Sequence, residues 1–160
     1  MTYIHPTACI DTTATIGEGT RIWHYCHVDR EARIGNGCTI GQGCYIGRGV
    51  QVGDRVRIQN NVSVYEGVTL EDDCFIGPSA VFTNVHQPDP HGSVHGQYEP
   101  TIVKSGAMIG ANATIIAPCV IGENAVVGAG SVVTKDVTVG ATVVGNPARQ
   151  IHCDVWSELP

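Results

Sequence analysis

Apolar residues recur along this chain every six positions. Stepping by six from Ile4 gives Ile10, Ile16, Ile22, Val28, Ile34, Ile40, Ile46, Val52, Ile58, Val64, Leu70, Ile76 and Phe82. The series resumes in a new register at Val103, Ile109, Ile115, Ile121, Val127, Val133 and Val139, and none of these 21 positions is polar. A second series, two residues earlier, holds only small or medium side chains, among them Ala8, Thr20, Cys26, Cys38, Cys44, Val56, Cys74, Ala107 and Cys119. An α-helix repeats every 3.6 residues and a simple strand every two. A period of six with two inward positions therefore predicts short strands separated by tight corners. Glycine commonly follows the large apolar position, as at Gly17, Gly35, Gly41, Gly47, Gly53, Gly77, Gly110, Gly122, Gly128 and Gly140, which reads as corners with backbone angles that favour it. Each turn of such a chain can bury its apolar side chains only against its neighbours, so the stack is the stable unit.

The repeat breaks once. From Phe82 to Val103 the chain takes 21 residues, one hexad and an excursion of 15 between Asn84 and Pro100. That segment carries prolines, glycines and the histidines His86, His91 and His95, and a long loop on a rigid scaffold is where function concentrates. With three hexads to a coil, residues 18 apart stack at one azimuth. The column through Asn84 then contains Glu66, Arg48 and Arg30, which suits an elongated ligand with a diphosphate at one end and an amine at the other.

Specific strings narrow the reading. The run from Arg57 to Asp73, the Gly77-Pro78-Ser79 and Phe82-Thr83-Asn84 segments, the opening Ile4-His5-Pro6-Thr7-Ala8, Arg21-Ile22-Trp23-His24 and the closing Val144-Gly145-Asn146-Pro147-Ala148-Arg149 resemble the hexapeptide-repeat transferases. Within them the likeness is to the nucleotide-sugar 3-amino N-acetyltransferase branch, over roughly residues 4 to 150. The resemblance implies an all-β fold, a left-handed parallel β-helix of about seven coils over residues 1–149, with the loop inserted at 85–100 and a tail at 150–160. It implies an acetyltransferase that uses acetyl-CoA, needs no metal and works as a homotrimer with sites between subunits. Its acceptor would be a UDP- or dTDP-linked 3-amino sugar in surface-polysaccharide synthesis. The chain departs from that branch in the loop, at Gln87-Pro88-Asp89, and in the tail after Arg149.

Transfer to an amine needs a neutral nitrogen lone pair beside the thioester, stabilisation of the oxyanion and a proton acceptor. Asn84 is the first candidate, to hold the amine or polarise the carbonyl, and His86 the second, as a base. The leaving sulfur is the alternative proton acceptor, as the resemblance allows. Glu66, Arg30 and Arg48 are the substrate-binding candidates. The resemblance places the coenzyme along the later coils, near Gly110, Ala111, Ala129, Gly130, Lys135 and Arg149.

Composition trims the alternatives. The chain has 160 residues, 42% apolar and 15% charged, a balance that fits one globular unit. A net charge of −6 argues against a phosphate-backbone binder of nucleic acid. The amino terminus lacks a secretory signature and no stretch is long and apolar enough to span a bilayer, so a cytoplasmic location without a membrane partner is expected. The seven cysteines show no metal or disulfide spacing, and Cys26, Cys38, Cys44, Cys74 and Cys119 fall on the small inward series, where a thiol packs as a small hydrophobe. Cys9 and Cys153 lie outside it. A hydroxyl or another small amine is the rival acceptor. A γ-carbonic-anhydrase-like zinc lyase, using His86 and His91, and a non-catalytic scaffold are the alternatives of other classes.

Overall fold

The computed structural model describes residues 1–85, 88–91 and 98–151. They form a three-sided parallel β-helix, the left-handed β-helix that the family resemblance implies, of about seven coils. Strands of two or three residues carry the large inward side chains, and each lies on the strand 18 residues earlier, except across the excursion, where the offset is 33, and at the last coil, where it is 16. On the first face Tyr3–Ile4 pairs with Arg21–Ile22, Thr39–Ile40, Arg57–Ile58 and Phe75–Ile76 in succession. The second face stacks Cys9–Ile10, His27–Val28, Tyr45–Ile46, Ser63–Val64 and Val81–Phe82, the third Thr15–Ile16 to Cys119–Ile121. The excursion does not disturb the register. Thr101 pairs with Val68 and Val103 with Leu70, as if no residues intervened. No helix among the described residues is long and apolar enough to cross a membrane.

The core is the interior of the prism. Ile22, Ile40, Ile58, Ile76 and Ile109 are fully buried one above another. The five repeat cysteines are buried and free, and burial pushes the Cys74 and Cys119 thiols up to about 11 and about 12, away from reactivity. Ile4, in the end strand of its sheet among the described residues, is 41% exposed.

Two expectations are corrected. Val139 does not face inward: it is 72% exposed, while Val137 is buried and bridges Ile121. The corner at Thr134-Lys135-Asp136 is two residues shorter than a regular one, which moves Val137 into the large inward position and sets Ala141 and Val143 as the next buried pair. Asp136 Oδ1 closes the corner by accepting from Val120 N at 2.8 Å. The glycines after the large apolar residue are likewise needed for space rather than for backbone angle. A Cβ on Gly41 would stand 2.6 Å from Asn60 N, and one on Gly77 2.6 Å from Ala111 N. Positive φ falls two residues later, where Asn61 (60°), Asn112 (55°) and Gly130 (68°) occupy the left-handed region. Of the ten glycines that follow a hexad apolar residue in the sequence, Gly140 alone has a positive φ.

Candidate active site

The 18-residue arithmetic puts Arg30, Arg48, Glu66 and Asn84 on one edge, between the second and third faces. Asn84 follows the strand Val81–Phe82 by two residues, at the mouth of the loop, and its Nδ2 donates to Glu66 O at 3.1 Å. That bond fixes the amide, because only the nitrogen can face a carbonyl. Oδ1 is left pointing away, with no hydrogen-bond partner among the described residues. The backbone is fastened as well: Glu99 N donates to Asn84 O at 2.8 Å, joining the two ends of the excursion. The next residue back, Thr83, accepts from Ala117 N through Oγ1 at 3.0 Å. The loop re-enters over Gly67, where a φ of +95° and a separation of 3.1 Å from Glu99 O would strain any added Cβ.

Below Asn84 the column is charged. Glu66 is half-buried and Arg30 exposed. Arg48 Nε donates to Glu31 Oε2 at 3.1 Å. Glu31 first, then Glu66 and Asp29, hold its guanidinium firmly protonated. Arg30 makes no ion pair among the described residues. The sequence reading missed the adjacent column, one residue earlier, formed by Asp29, Gly47, Tyr65 and Thr83, although the same arithmetic gives it. Tyr45, on the neighbouring strand, donates to Asp29 Oδ2 at 3.1 Å; burial, then that bond, raises its phenol above the usual range. His86 lies outside the described residues.

The coenzyme candidates stand elsewhere. Gly110, Ala111, Ala129 and Gly130 occupy the edge between the first and second faces, in the sixth and seventh coils. Gly110 and Ala129 border an apolar groove of about 460 Å³ with Phe75, Met108 and Val126. Gly130 N donates to Ala111 O at 2.8 Å, whereas the backbone N–H groups of Ala111 and Ala129 make no hydrogen bond among the described residues. Lys135 and Arg149 come together in another pocket, of about 270 Å³, at the last coil. Arg149 opens a strand, Arg149–Ile151, that folds back antiparallel on Thr142–Val144, and its Nη1 donates to Ala148 O at 2.9 Å. One chain thus carries the Asn84 column and the coenzyme edge on different corners of the prism. No group of three His, Cys, Asp or Glu suited to a metal ion occurs among the described residues.

Residues 2–48, 49–84 and 100–135 match the family described as "Bacterial transferase hexapeptide (six repeats)". The chain belongs to that family. Residues 31–66 also match the hexapeptide repeat of succinyl-transferase. Comparison with curated protein sequences finds no match. Solved structures share the fold. PerB from Caulobacter crescentus, in complex with CoA and GDP-perosamine, has 22% identity and a TM-score of 0.59 over 94% of this hexapeptide-family chain and 57% of its own. The acetyltransferase domain of PglB from Neisseria gonorrhoeae, with acetyl coenzyme A, has 23% identity and a TM-score of 0.54 over 94% and 57%. A mutant of AntD, an N-acyltransferase from Bacillus cereus, in complex with dTDP-4-amino-4,6-dideoxyglucose and coenzyme A, is similar at 22% identity and a TM-score of 0.56 over 94% and 82%. The present chain spans a little over half the length of the first two.

Proposed function

We propose that this hexapeptide-family chain is an acetyl-CoA-dependent N-acetyltransferase that acts on the amino group of a nucleotide-linked amino sugar, in the cytoplasm, for surface-polysaccharide synthesis. The observation that carries the reading is Asn84. Its Nδ2 is tied to Glu66 O, so Oδ1 is presented at the loop mouth as a fixed acceptor. An acceptor there takes one N–H of an incoming neutral amine and aims the lone pair at the thioester carbonyl, a positioning role worth several orders of magnitude in effective concentration. Attack forms the C–N bond and a tetrahedral oxyanion; collapse expels the CoA thiolate, and the ammonium proton passes to His86 or to that sulfur.

The free amides of Ala111 and Ala129 suit the carbonyls of an extended pantetheine chain along the groove, and Lys135 with Arg149 suits its phosphates. Because the acceptor column and the coenzyme edge lie on different corners, a complete site takes one edge from each of two copies, and a homotrimer of parallel prisms provides three such sites. The relatives solved with CoA and a nucleotide amino sugar support the substrate class. Acetyl-CoA turnover against UDP-, dTDP- and GDP-linked amino sugars, read as a 42 Da gain (roughly one acetyl group replacing one proton), tests the reading. Turnover with free amino sugars or hydroxyl acceptors and none with any nucleotide-linked amine would sink it.

A further inference from the structure

A stripe of rings runs beside the acceptor column and takes no part in the chemistry above. On the outer surface of the second face His27 and Tyr45 stand in succession, ring centroids 5.4 Å apart, and Tyr65, on the edge column beside Glu66, comes within 5.7 Å of Tyr45. Tyr65 is 41% exposed, and His27 is exposed. Gly47 occupies the azimuth of Asp29 and Tyr65 in the coil between them; it is buried beneath the next coil and contributes no side chain at the level of Arg48. The rings are also held in place, since Tyr45 Oη is anchored on Asp29 Oδ2 at 3.1 Å.

Resting on the function proposed above, we propose that Tyr45, flanked by His27 and Tyr65, is the base-binding subsite of the nucleotide-linked acceptor. Distances along the prism agree. Arg48 lies two coils from Asn84, about 9.6 Å at the ordinary strand spacing, which is a pyranose ring and a phosphate. With the amine at Asn84 and the sugar beside Glu66, the diphosphate reaches Arg48 and Arg30 and displaces Glu31, an exposed ion-pair partner whose loss costs little. The nucleoside then turns onto the second face and stacks on Tyr45. Asp29 orients the platform, its Oδ1 accepting from Arg30 N at 2.7 Å and its Oδ2 from Tyr45. The rings recognise the face that every base presents, and the choice of acceptor falls to the sugar.

Calorimetric titration of the full chain with UDP, dTDP, GDP and inorganic pyrophosphate tests this. The three nucleotides should bind within about 10-fold of one another, and each on the order of 10- to 100-fold more tightly than pyrophosphate, the contribution of one stacked base. Tyr45→Ala should remove that advantage and leave pyrophosphate binding alone, while Tyr45→Phe, which keeps the ring, should retain most of it. UDP affinity in Tyr45→Ala and Tyr65→Ala equal to that of the unmodified chain would overturn the subsite and leave the acetyltransferase reading standing. A loss of affinity that accompanies a change of assembly state in light scattering would also overturn it, by assigning the rings to a subunit contact. Absence of binding by all three nucleotides to the unmodified chain would remove the nucleotide-sugar reading itself.

Discussion

Replacing Asn84 by Ala tests the site at its centre. The substitution deletes two things: the Nδ2 bond to Glu66 O at 3.1 Å and the Oδ1 acceptor that the bond aims. The first is a partly exposed neutral hydrogen bond, worth about 1 kcal/mol. In a chain of this size that lowers Tm by about 2–4 °C, so the variant stays folded and a rate change reads chemistry rather than unfolding. Removal of a single fixed polar group that acts on the transition state costs on the order of 10- to 1000-fold in kcat. The coenzyme candidates stand on another edge, so the Kd for acetyl-CoA should change by less than about 2-fold. Steady-state kinetics with a nucleotide-linked amino sugar, paired with calorimetry of CoA binding, separates the two. Asn84→Asp sharpens the result, because a carboxylate oxygen then faces Glu66 O where a donor stood, and it should be no more active than Asn84→Ala. Full activity in Asn84→Ala, or an equal loss of CoA affinity, would refute the placement of the amine.

Further outcomes follow from the geometry. His86→Asn should lower kcat by roughly 100-fold and remove an acidic limb near pH 6 to 7 from the rate profile if imidazole takes the proton; an unchanged profile assigns the proton to the leaving sulfur. Lys135→Ala and Arg149→Ala should each raise KM for acetyl-CoA by about 3- to 10-fold without a comparable effect on KM for the acceptor, and smaller effects with dephospho-CoA would locate the terminal phosphate there. Val137→Asp should abolish soluble expression, since an unpaired buried charge costs several kcal/mol, whereas Val139→Asp should unfold within about 0.5 kcal/mol of the unmodified chain in denaturant; the reverse order would show the last corner to be wrongly registered. Lys104 Nζ, 2.7 Å from Glu71 Oε1, holds that carboxyl below its ordinary range. The folded state therefore gains stability from Glu71 above the unfolded-state value and loses it as pH falls through the folded one, so Glu71→Gln should flatten the acid limb of a Tm-against-pH curve.

The hexads declare most of the fold because each large inward position meets the same requirement: an apolar side chain closed over by the coils on either side. Ile22 to Ile121 obey it without exception. The rule fails where a corner changes length, since Val137 and Val139 are the same residue type and only the two-residue shortening at Lys135 decides which is buried. It also conceals why glycine is required, because the crowding of Gly41 by Asn60 comes from the next coil and is invisible in one hexad. Of the site, the column was legible by arithmetic, and the Asn84–Glu66 bond is its physical form. The separation of that column from Gly110 and Ala129 was not, because azimuth counts within a coil matter there and the period hides them. Tyr45 and Tyr65 were passed over because outward residues carry no periodic signal.

The fastening of Asn84 to Glu99 makes the excursion a cassette. Its two ends are locked by one backbone bond, and the strand that follows, Thr101–Val103, takes its register from Val68–Leu70 beneath it rather than from whatever lies between. Lengthening such a closed segment costs only about 0.6 kcal/mol for each doubling, and nothing in the stack has to move. Exchange of residues 85–98 as a unit should therefore leave Asn84 and the stacked coils unmoved, so that variety in this one segment costs the fold nothing.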